Sequence, residues 1–210
     1  MPLDLEEQEQ LAELKAWWKQ HGNRLAAMIL AVAVGFAGWV AFRSYSQSQT
    51  LQASVLYDTV AKAAQANDAK ALRDASGALA ENYAGTAYAS MGALLSARYY
   101  FDREDLKSAK AQLQWVIERG SSEDFKSLAR LRLAAVLLDE KAYDEALKQL
   151  EAAPAAAYEA QFAALRGDIL VAKNQAADAR AAYKLALEKA DKKNAPFQES
   201  VRMRLDALGG

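Results

Sequence analysis

Few side chains in this sequence combine the types and spacing that catalysis requires. Cysteine is absent, which excludes thiol nucleophiles, disulfides and cysteine-based zinc or iron–sulfur sites. His21 is the single histidine, so a Ser-His-Asp triad or a multi-histidine metal site would have to be built around that residue alone. Glycine-rich phosphate loops and metal-ligand spacings are also missing. The sequence therefore predicts a protein without catalytic residues, cofactor or metal.

Paired carboxylates are the remaining candidates for acid–base chemistry. Asp139-Glu140 and Asp144-Glu145 flank a predicted polar turn, and Glu123-Asp124 follows two serines where a helix would begin. Acidic residues are favoured in the first turn of a helix because they interact with the positive end of the helix dipole. We therefore assign these pairs to solvated helix ends, with an active site as the disfavoured alternative.

The elements that would position any functional residue are helices. The chain is 52% apolar and 25% charged, which is a globular balance. Alanine, the best helix former, occupies 48 positions, against 10 glycines and 3 prolines. From residue 44 onward, 22 basic residues face 22 acidic ones with the signs interspersed, so no basic stripe for nucleic acid is present. The composition predicts an all-α protein that does not bind nucleic acid.

An uncharged segment near the N-terminus predicts a membrane anchor. Residues 25–42 contain no charge, and they would form a helix about 27 Å long, close to the ~30 Å hydrocarbon core of a bilayer. Arg24 and Arg43 bracket the segment. A cleaved signal peptide is disfavoured because the preceding 24 residues are long and acidic. A buried core helix is the other alternative.

Basic residues predict the orientation of this anchor. Lys15, Lys19 and Arg24 precede it, whereas Arg43 stands alone behind it until Lys62. The positive-inside rule then places residues 1–24 in the cytoplasm, 25–43 in the membrane and 44–210 in the periplasm of a bacterium. Small residues near four-residue spacing would let another membrane helix approach closely, unless they only reflect the alanine-rich composition. They are Ala27, Ala31, Gly35 and Gly38.

The remainder of the chain repeats with a period near 34 residues. Three helix pairs align on a small residue, a second small residue twelve positions on, and apolar residues sixteen and nineteen positions on. The four sets are Ala97, Ala134 and Gly167; Ala109, Ala146 and Ala179; Leu113, Leu150 and Tyr183; and Val116, Ala153 and Ala186. This spacing is typical of tetratricopeptide-like repeats, which stack into an α-solenoid. A generic alanine-rich bundle is the alternative.

Further helices are expected at both ends of this array. Residues 51–66 and 70–82 would form a preceding pair. Residues 197–208 carry apolar side chains at i, i+4, i+8 and i+11 and would form a C-terminal capping helix, which covers the last apolar face of a solenoid.

The first helix of each pair would line a concave face suited to an extended segment or a partner helix. Methionine and phenylalanine offer adaptable apolar contact there, and arginine can bind carbonyls or a carboxylate. The residues assigned to this groove are Met91, Leu95, Arg98, Phe101, Leu128, Arg132, Leu138, Gln161 and Asp168. The alternative is that several of them belong to the core. The function class that follows is a protein-interaction adaptor.

The whole layout resembles the YfgM-type ancillary subunits of the bacterial Sec translocon over essentially all 210 residues. The resemblance is carried by the short start with a single anchor, by Tyr83-Ala84-Gly85-Thr86-Ala87-Tyr88-Ala89 at a turn, and by Val201-Arg202-Met203-Arg204-Leu205-Asp206-Ala207-Leu208 at the end. The sequence departs from the family at Ala84, where proline is common, and at Ala207, where an acidic residue is frequent.

This resemblance implies an inner-membrane protein with a periplasmic tetratricopeptide-like domain. It implies association with the SecYEG translocon and with a membrane-anchored, prolyl-isomerase-like periplasmic chaperone. It also implies that the protein helps to pass secretory polypeptides to soluble periplasmic chaperones. A different class of function remains open, in which the cytoplasmic N-terminal segment acts on a soluble stress-response regulator.

Overall fold

The computed structural model describes residues 5–209, and every regular element in that range is a helix. The α-helices are α1 (Leu5–Gln65), α2 (Ala69–Asn82), α3 (Ala87–Phe101), α4 (Leu106–Arg119), α5 (Glu123–Asp139), α6 (Tyr143–Gln149), α7 (Glu159–Ala172), α8 (Ala176–Lys189) and α9 (Ala195–Asp206). A 3₁₀ turn spans Ala156–Tyr158. The chain divides into two compact units, Met1–Ser48 and Gln49–Gly210. The predicted all-α class is confirmed.

The first unit exposes its apolar residues. Ile29, Val34 and Phe36 are each about two-thirds exposed, although apolar side chains of this size are usually buried in water-soluble domains. The most apolar 18-residue window of the helix has a mean hydropathy of 2.3, and none of it is buried. The segment is therefore long and apolar enough to span a membrane, and it is not a core helix of this chain.

The second unit is built from four helix pairs, and each pair has the same turn. A residue two or three positions after the first helix of each pair adopts the left-handed conformation, with φ between 58° and 61°. These residues are Asn67, Glu104, Lys141 and Asn174. Such a residue reverses the chain and satisfies the last carbonyls of the helix. We number the pairs one to four: residues 49–65 of α1 with α2, then α3 with α4, α5 with α6, and α7 with α8.

The predicted preceding pair is therefore a full member of the array, with its side-chain sizes exchanged. The equivalents of Ala97 and Ala109 are Val60 and Leu72, which have no exposed surface. Ser76 stands where the later pairs have a bulky residue, and it is also buried. A smaller residue thus stands beside the larger ones at the helix crossing and offsets part of their added volume.

The residues aligned from the sequence lie in the core, with one exception. The small residues at the first two positions and the bulky residues at the third are all buried in pairs two, three and four. At the fourth position Val116 and Ala186 are fully buried, but Ala153 is exposed. The prediction for Ala153 is wrong because α6 ends at Gln149, before that residue.

Helix α9 closes the array, as predicted for a capping helix. Val201 is buried in a cluster with residues of α7 and α8, and Phe197 and Leu205 pack against the same cluster. The Arg180 guanidinium donates a hydrogen bond of 2.6 Å to the backbone oxygen of Leu208. The last pair is thus covered by apolar and polar contacts together.

Candidate functional site

A hollow of about 380 Å³ lies between α3, α4 and α5, and we call it the α3–α5 hollow. Its apolar lining includes Leu113, Val136 and the half-exposed ring of Phe101. Charged side chains from two helices stand around this lining. They are Arg98 and Asp102 on α3 and Arg132 and Asp139 on α5.

The two arginines of this hollow differ in whether a carboxylate lies close to them. The Nε atom of Arg98 lies 3.7 Å from Oδ2 of Asp102, but both side chains are more than half exposed, so their attraction is weak. Arg132 enters none of the salt bridges found within residues 5–209, and its Nη1 donates a long hydrogen bond of 3.5 Å to the Leu94 carbonyl oxygen. Burial of the guanidinium lowers the pKa of Arg132, and the positive charge of Arg98 lowers it further. Arg132 therefore presents a cation to which an anion would be favourable.

A second hollow of about 310 Å³ shares Arg132 and extends to the capping helix; we call it the α5–α9 hollow. Gln161, Asp168 and Arg204 supply its polar lining, and Phe197 its aromatic lining. The Gln161 Oε1 atom is buried and has no hydrogen-bond partner. Because the two hollows share Arg132, they form one continuous surface along the first helices of pairs two to four.

Asp168 has a structural role within this surface. Its Oδ1 accepts a 2.8 Å hydrogen bond from the Tyr183 hydroxyl, and its Oδ2 lies 2.8 Å from Nη1 of Arg204. Burial raises the pKa of Tyr183, and the hydrogen bond to Asp168 raises it further. Asp168 thereby ties α7 to both α8 and α9.

The residues assigned to the groove from the sequence fall into two groups. The hollows are lined by Arg98, Phe101, Arg132, Gln161 and Asp168. Leu95 packs instead against the core of pair one, and Leu128 and Leu138 pack against the core of pairs two and three. Met91 is half-buried and lines neither hollow.

Several residues of these hollows are absent from the groove predicted from the sequence. Ala135, Val136 and Asp139 line the α3–α5 hollow beside the predicted Arg132. Counted from Arg132, their spacing of i+3, i+4 and i+7 places all four on one face of α5, and this pattern is visible in the sequence. The sequence instead predicts Asp139 at a solvated helix end. Phe197 and Arg204 come from the capping helix, whose contribution no repeat alignment indicates.

The first unit has a different kind of candidate surface. A Cβ atom added at Gly35 or Gly38 would meet nothing within 4 Å, so the fold of this chain does not require glycine there. Ala27 and Ala31 are exposed as well. The His21 ring stacks on that of Trp17, and its Nδ1 lies 3.2 Å from the Trp17 carbonyl oxygen.

Metal chemistry has no support in the described part of the chain. No group of three or more histidine, aspartate and glutamate side chains there is placed to hold an ion. The hollows instead combine apolar floors, three arginines and a surface open to solvent. Such a surface can bind a polypeptide segment.

Comparisons with known proteins agree with this architecture. A family model described as a tetratricopeptide repeat-like domain matches residues 15–210. Three similar proteins are named ancillary SecYEG translocon subunit. That of Neisseria gonorrhoeae is 30% identical over 209 residues, which cover 99% of this chain and 100% of that protein. That of Haemophilus influenzae is 29% identical, and the match covers 99% of this chain and 100% of that protein. That of Escherichia coli is 28% identical, and the match covers 96% of each protein. The chain therefore belongs to the tetratricopeptide repeat-like family that includes the ancillary SecYEG translocon subunits.

Proposed function

We propose that this protein is a membrane-anchored adaptor that associates with the SecYEG translocon. It helps to transfer secretory polypeptides, as they emerge, to periplasmic chaperones, together with a membrane-anchored prolyl-isomerase-like chaperone. The name of its relatives supports the translocon as partner. The observation that carries polypeptide binding is the apolar α3–α5 hollow with the unpaired cation of Arg132 at its edge. Membership of a repeat family that mediates protein contacts supports a non-catalytic role.

The proposed topology has residues 1–24 in the cytoplasm, 25–43 in the membrane and 44–210 in the periplasm. The exposed apolar helix and the excess of Lys and Arg before it support this arrangement. Protease added to spheroplasts should digest the C-terminal domain and spare the N-terminal segment. A soluble mature form that begins near Gln47 would contradict the proposal.

Binding in the α3–α5 hollow follows from its chemistry. Apolar side chains of an extended segment would cover the exposed ring of Phe101, which removes apolar surface from water. A carbonyl or carboxylate of the segment would accept hydrogen bonds from the Arg132 guanidinium, whose planar fork can bind a carboxylate with two parallel bonds. Arg98 would strengthen the attraction to an anion.

The test places a photocrosslinking amino acid in the full-length chain in cells. With the probe at position 101 or 132, we expect adducts with a secretory polypeptide arrested in the translocon. Lys107, which is exposed on α4 and lines neither hollow, is the matched control position and should give none. Equal crosslinking from all three positions would exclude a specific site in the hollow.

The anchor is proposed to select membrane partners through Ala27, Ala31, Gly35 and Gly38. Apolar burial gives no gain in lipid, so helices associate there through close packing over small residues. Replacing Ala31 and Gly35 by leucine should reduce the recovery of membrane partners in a mild-detergent pull-down. The control replaces Ala33 and Ala37, on another face of the helix, by leucine. Unchanged recovery with the first variant would assign recruitment to the second unit.

A second candidate function rests on the N-terminal segment. Leu14 and Trp18 lie one turn apart on α1, and each is about 60% exposed. Such an apolar pair can bind a soluble regulator in the cytoplasm. Deletion of residues 2–20 distinguishes the two functions, because the adaptor should keep its role in the envelope and a regulator should lose its effect.

A further inference from the structure

The second helix of pair three has half the length of its counterparts. Helices α2, α4 and α8 have 14 residues each, and α6 has seven. The left-handed turn residue precedes all four helices at equivalent positions, so their beginnings are in register. A helix as long as its counterparts would continue through residues 150–156, so α6 is shorter by about two turns, or about 10 Å.

Pro154 explains why α6 stops, and other helices satisfy the backbone it leaves. Proline has no N–H to donate to the carbonyl four residues earlier, and it disfavours helical backbone at the residue before it. The Leu150 carbonyl oxygen instead accepts a 2.6 Å hydrogen bond from Nη2 of Arg166. The Ala155 N–H donates a 2.9 Å bond to Oγ of Ser127, a buried side chain. The interruption is thus a built feature of the fold.

The missing turns leave a hollow of about 540 Å³, which we call the α6 gap. It is bounded by residues 150–154, by residues of α7 between Glu159 and Leu170, and by residues of α8 between Asp178 and Lys189. Phe162 and Ala182 form part of its floor, and Leu185 at its edge is 44% exposed. The α6 gap shares no residue with the α3–α5 or α5–α9 hollow, so it is independent of the groove proposed above.

Most of the charged side chains around the α6 gap that are outside salt bridges are acidic. Lys189 is paired with Glu159 at 2.9 Å, and Arg166 is occupied by the Leu150 carbonyl. Glu151 and Asp178 are exposed and take part in none of the salt bridges within residues 5–209. Arg166 enters none of these salt bridges either, so two acidic charges stand against one basic charge outside ion pairs. The excess negative charge at the rim would attract a basic partner.

We propose that the α6 gap is a docking site for a short amphipathic helix of another polypeptide. The helix contributes about two turns, with apolar residues at i, i+3 and i+4 facing Phe162 and Leu185, and with lysine or arginine beside Glu151 and Asp178. It takes the place of the two turns that α6 lacks. A helix suits this hollow because it satisfies its own backbone, whereas an extended segment would bring unpaired N–H and C=O groups against apolar walls.

The test uses the full-length chain in phosphatidylcholine nanodiscs. The sequence has no cysteine, so Ala153→Cys gives a single attachment site for an environment-sensitive dye at the gap. The probe is a stapled Leu/Ala/Lys amphipathic helix, since unconstrained short helices are marginal in water. We expect saturable binding reported by the dye. A variant peptide with central proline, and one with glutamate in place of lysine, should bind at least tenfold more weakly.

Two variants of the chain locate the binding, measured as competition with a dye-labelled copy of the peptide. Ala153→Leu with Pro154→Ala permits α6 to continue and fills the gap, and it should abolish binding. Lys107→Ala, at an exposed residue of α4 that lines none of the three hollows, is the matched control and should leave binding unchanged. Asp178→Lys should weaken the lysine peptide and favour the glutamate peptide.

Several outcomes would overturn the proposal. Equal binding of the proline peptide would indicate an extended occupant, and equal binding of the glutamate peptide would remove the charge argument. Binding that survives Ala153→Leu with Pro154→Ala would place the peptide elsewhere. Concentration-dependent self-association that only the filled variant loses would identify a second copy of this chain as the occupant. None of these outcomes affects crosslinking from positions 101 and 132.

Discussion

Pairs three and four keep the same register but fill their helix crossings differently. In pair three, Ala134 and Ala146 meet at the crossing with no exposed surface, and Leu150 covers them. In pair four, glycine replaces the first alanine, and the ring of Tyr183 takes the place of the leucine. A Cβ atom at Gly167 would lie 2.4 Å from Cε1 of Tyr183. Glycine is required at that position because the aromatic ring uses the space of the side chain.

A repeat can therefore depart from its pattern when another helix supplies the missing interaction. Tyr183 is buried, and its hydroxyl donates a hydrogen bond to the half-buried Asp168, which Arg204 of α9 holds in turn. In pair three, Arg166 of the next pair satisfies the end of the shortened α6. The compensating residues lie 15 to 36 positions away along the chain.

The largest effect is expected from removing the ring that distinguishes pair four. Tyr183→Ala would leave a cavity in the core and should lower the free energy of unfolding by about 3–5 kcal/mol. Thermal melting of the full-length chain in mild detergent, followed by circular dichroism, measures the change. Lys184→Ala, at the exposed neighbouring residue, is the control. A similar melting temperature for both variants would contradict the packing of pair four.

A smaller loss is expected when the crossing of pair three is overfilled. Ala146 has no exposed surface, so Ala146→Leu should cost about 1–3 kcal/mol of folding free energy. The same substitution at Ala111, which is exposed on α4, should leave the melting temperature nearly unchanged. If both substitutions were tolerated equally, the register of the repeat would be wrong.

A double substitution should convert the packing pattern of pair four into that of pair three. Gly167→Ala alone should destabilise by about 1–2 kcal/mol, because the clash with Tyr183 outweighs the gain in helix propensity. Combined with Tyr183→Leu, which recreates the pattern of pair three, the same alanine should become stabilising by up to about 1 kcal/mol. A double-mutant cycle of melting experiments determines the sign in each background. The same sign in both would show that the ring does not require the glycine.

The smallest effect is expected from Pro154→Ala. Losing proline increases the entropy of the unfolded chain, while regained helical bonds act in the opposite direction, so stability should change by less than about 1 kcal/mol. Helical content should rise in the circular dichroism spectrum as α6 lengthens. Pro196→Ala, at the first turn of α9 where proline is compatible with a helix, is the control and should add no helix. An unchanged spectrum would mean that Pro154 is not what ends α6.

Positions at the helix crossings were predictable because their requirement is local. Two helices approach closely only over small side chains, and this rule identified Ala109, Ala146 and Ala179, all of which are fully buried. The rule failed for pair one, where Val60 and Leu72 stand at the crossing. Their larger volume is compensated by Ser76, and such compensation is invisible to an alignment that expects small residues.

The residues predicted for a groove do not all lie on one surface. Arg98 and Arg132 line the α3–α5 hollow, whereas Leu95 and Leu128 pack against the core. Successive residues of a helix are rotated by about 100°, so an uncertainty of one position moves a side chain between groove and core. Asp168 lines the α5–α9 hollow and also holds the Tyr183 hydroxyl and the Arg204 guanidinium. The second contact set could not be predicted, because it depends on where Tyr183 and Arg204 lie in the folded chain.

Three properties can be predicted from the sequence alone: the helical class, the apolar segment that can span a membrane and the period of the repeat. These properties follow from side-chain propensity and hydrophobic spacing over a few turns of one helix. Three other features are visible only in the packed structure. Gly167 makes room for Tyr183, Asp168 ties three helices together, and the early end of α6 leaves an open hollow. Each of these depends on side chains that are distant in sequence and meet only when the helices pack.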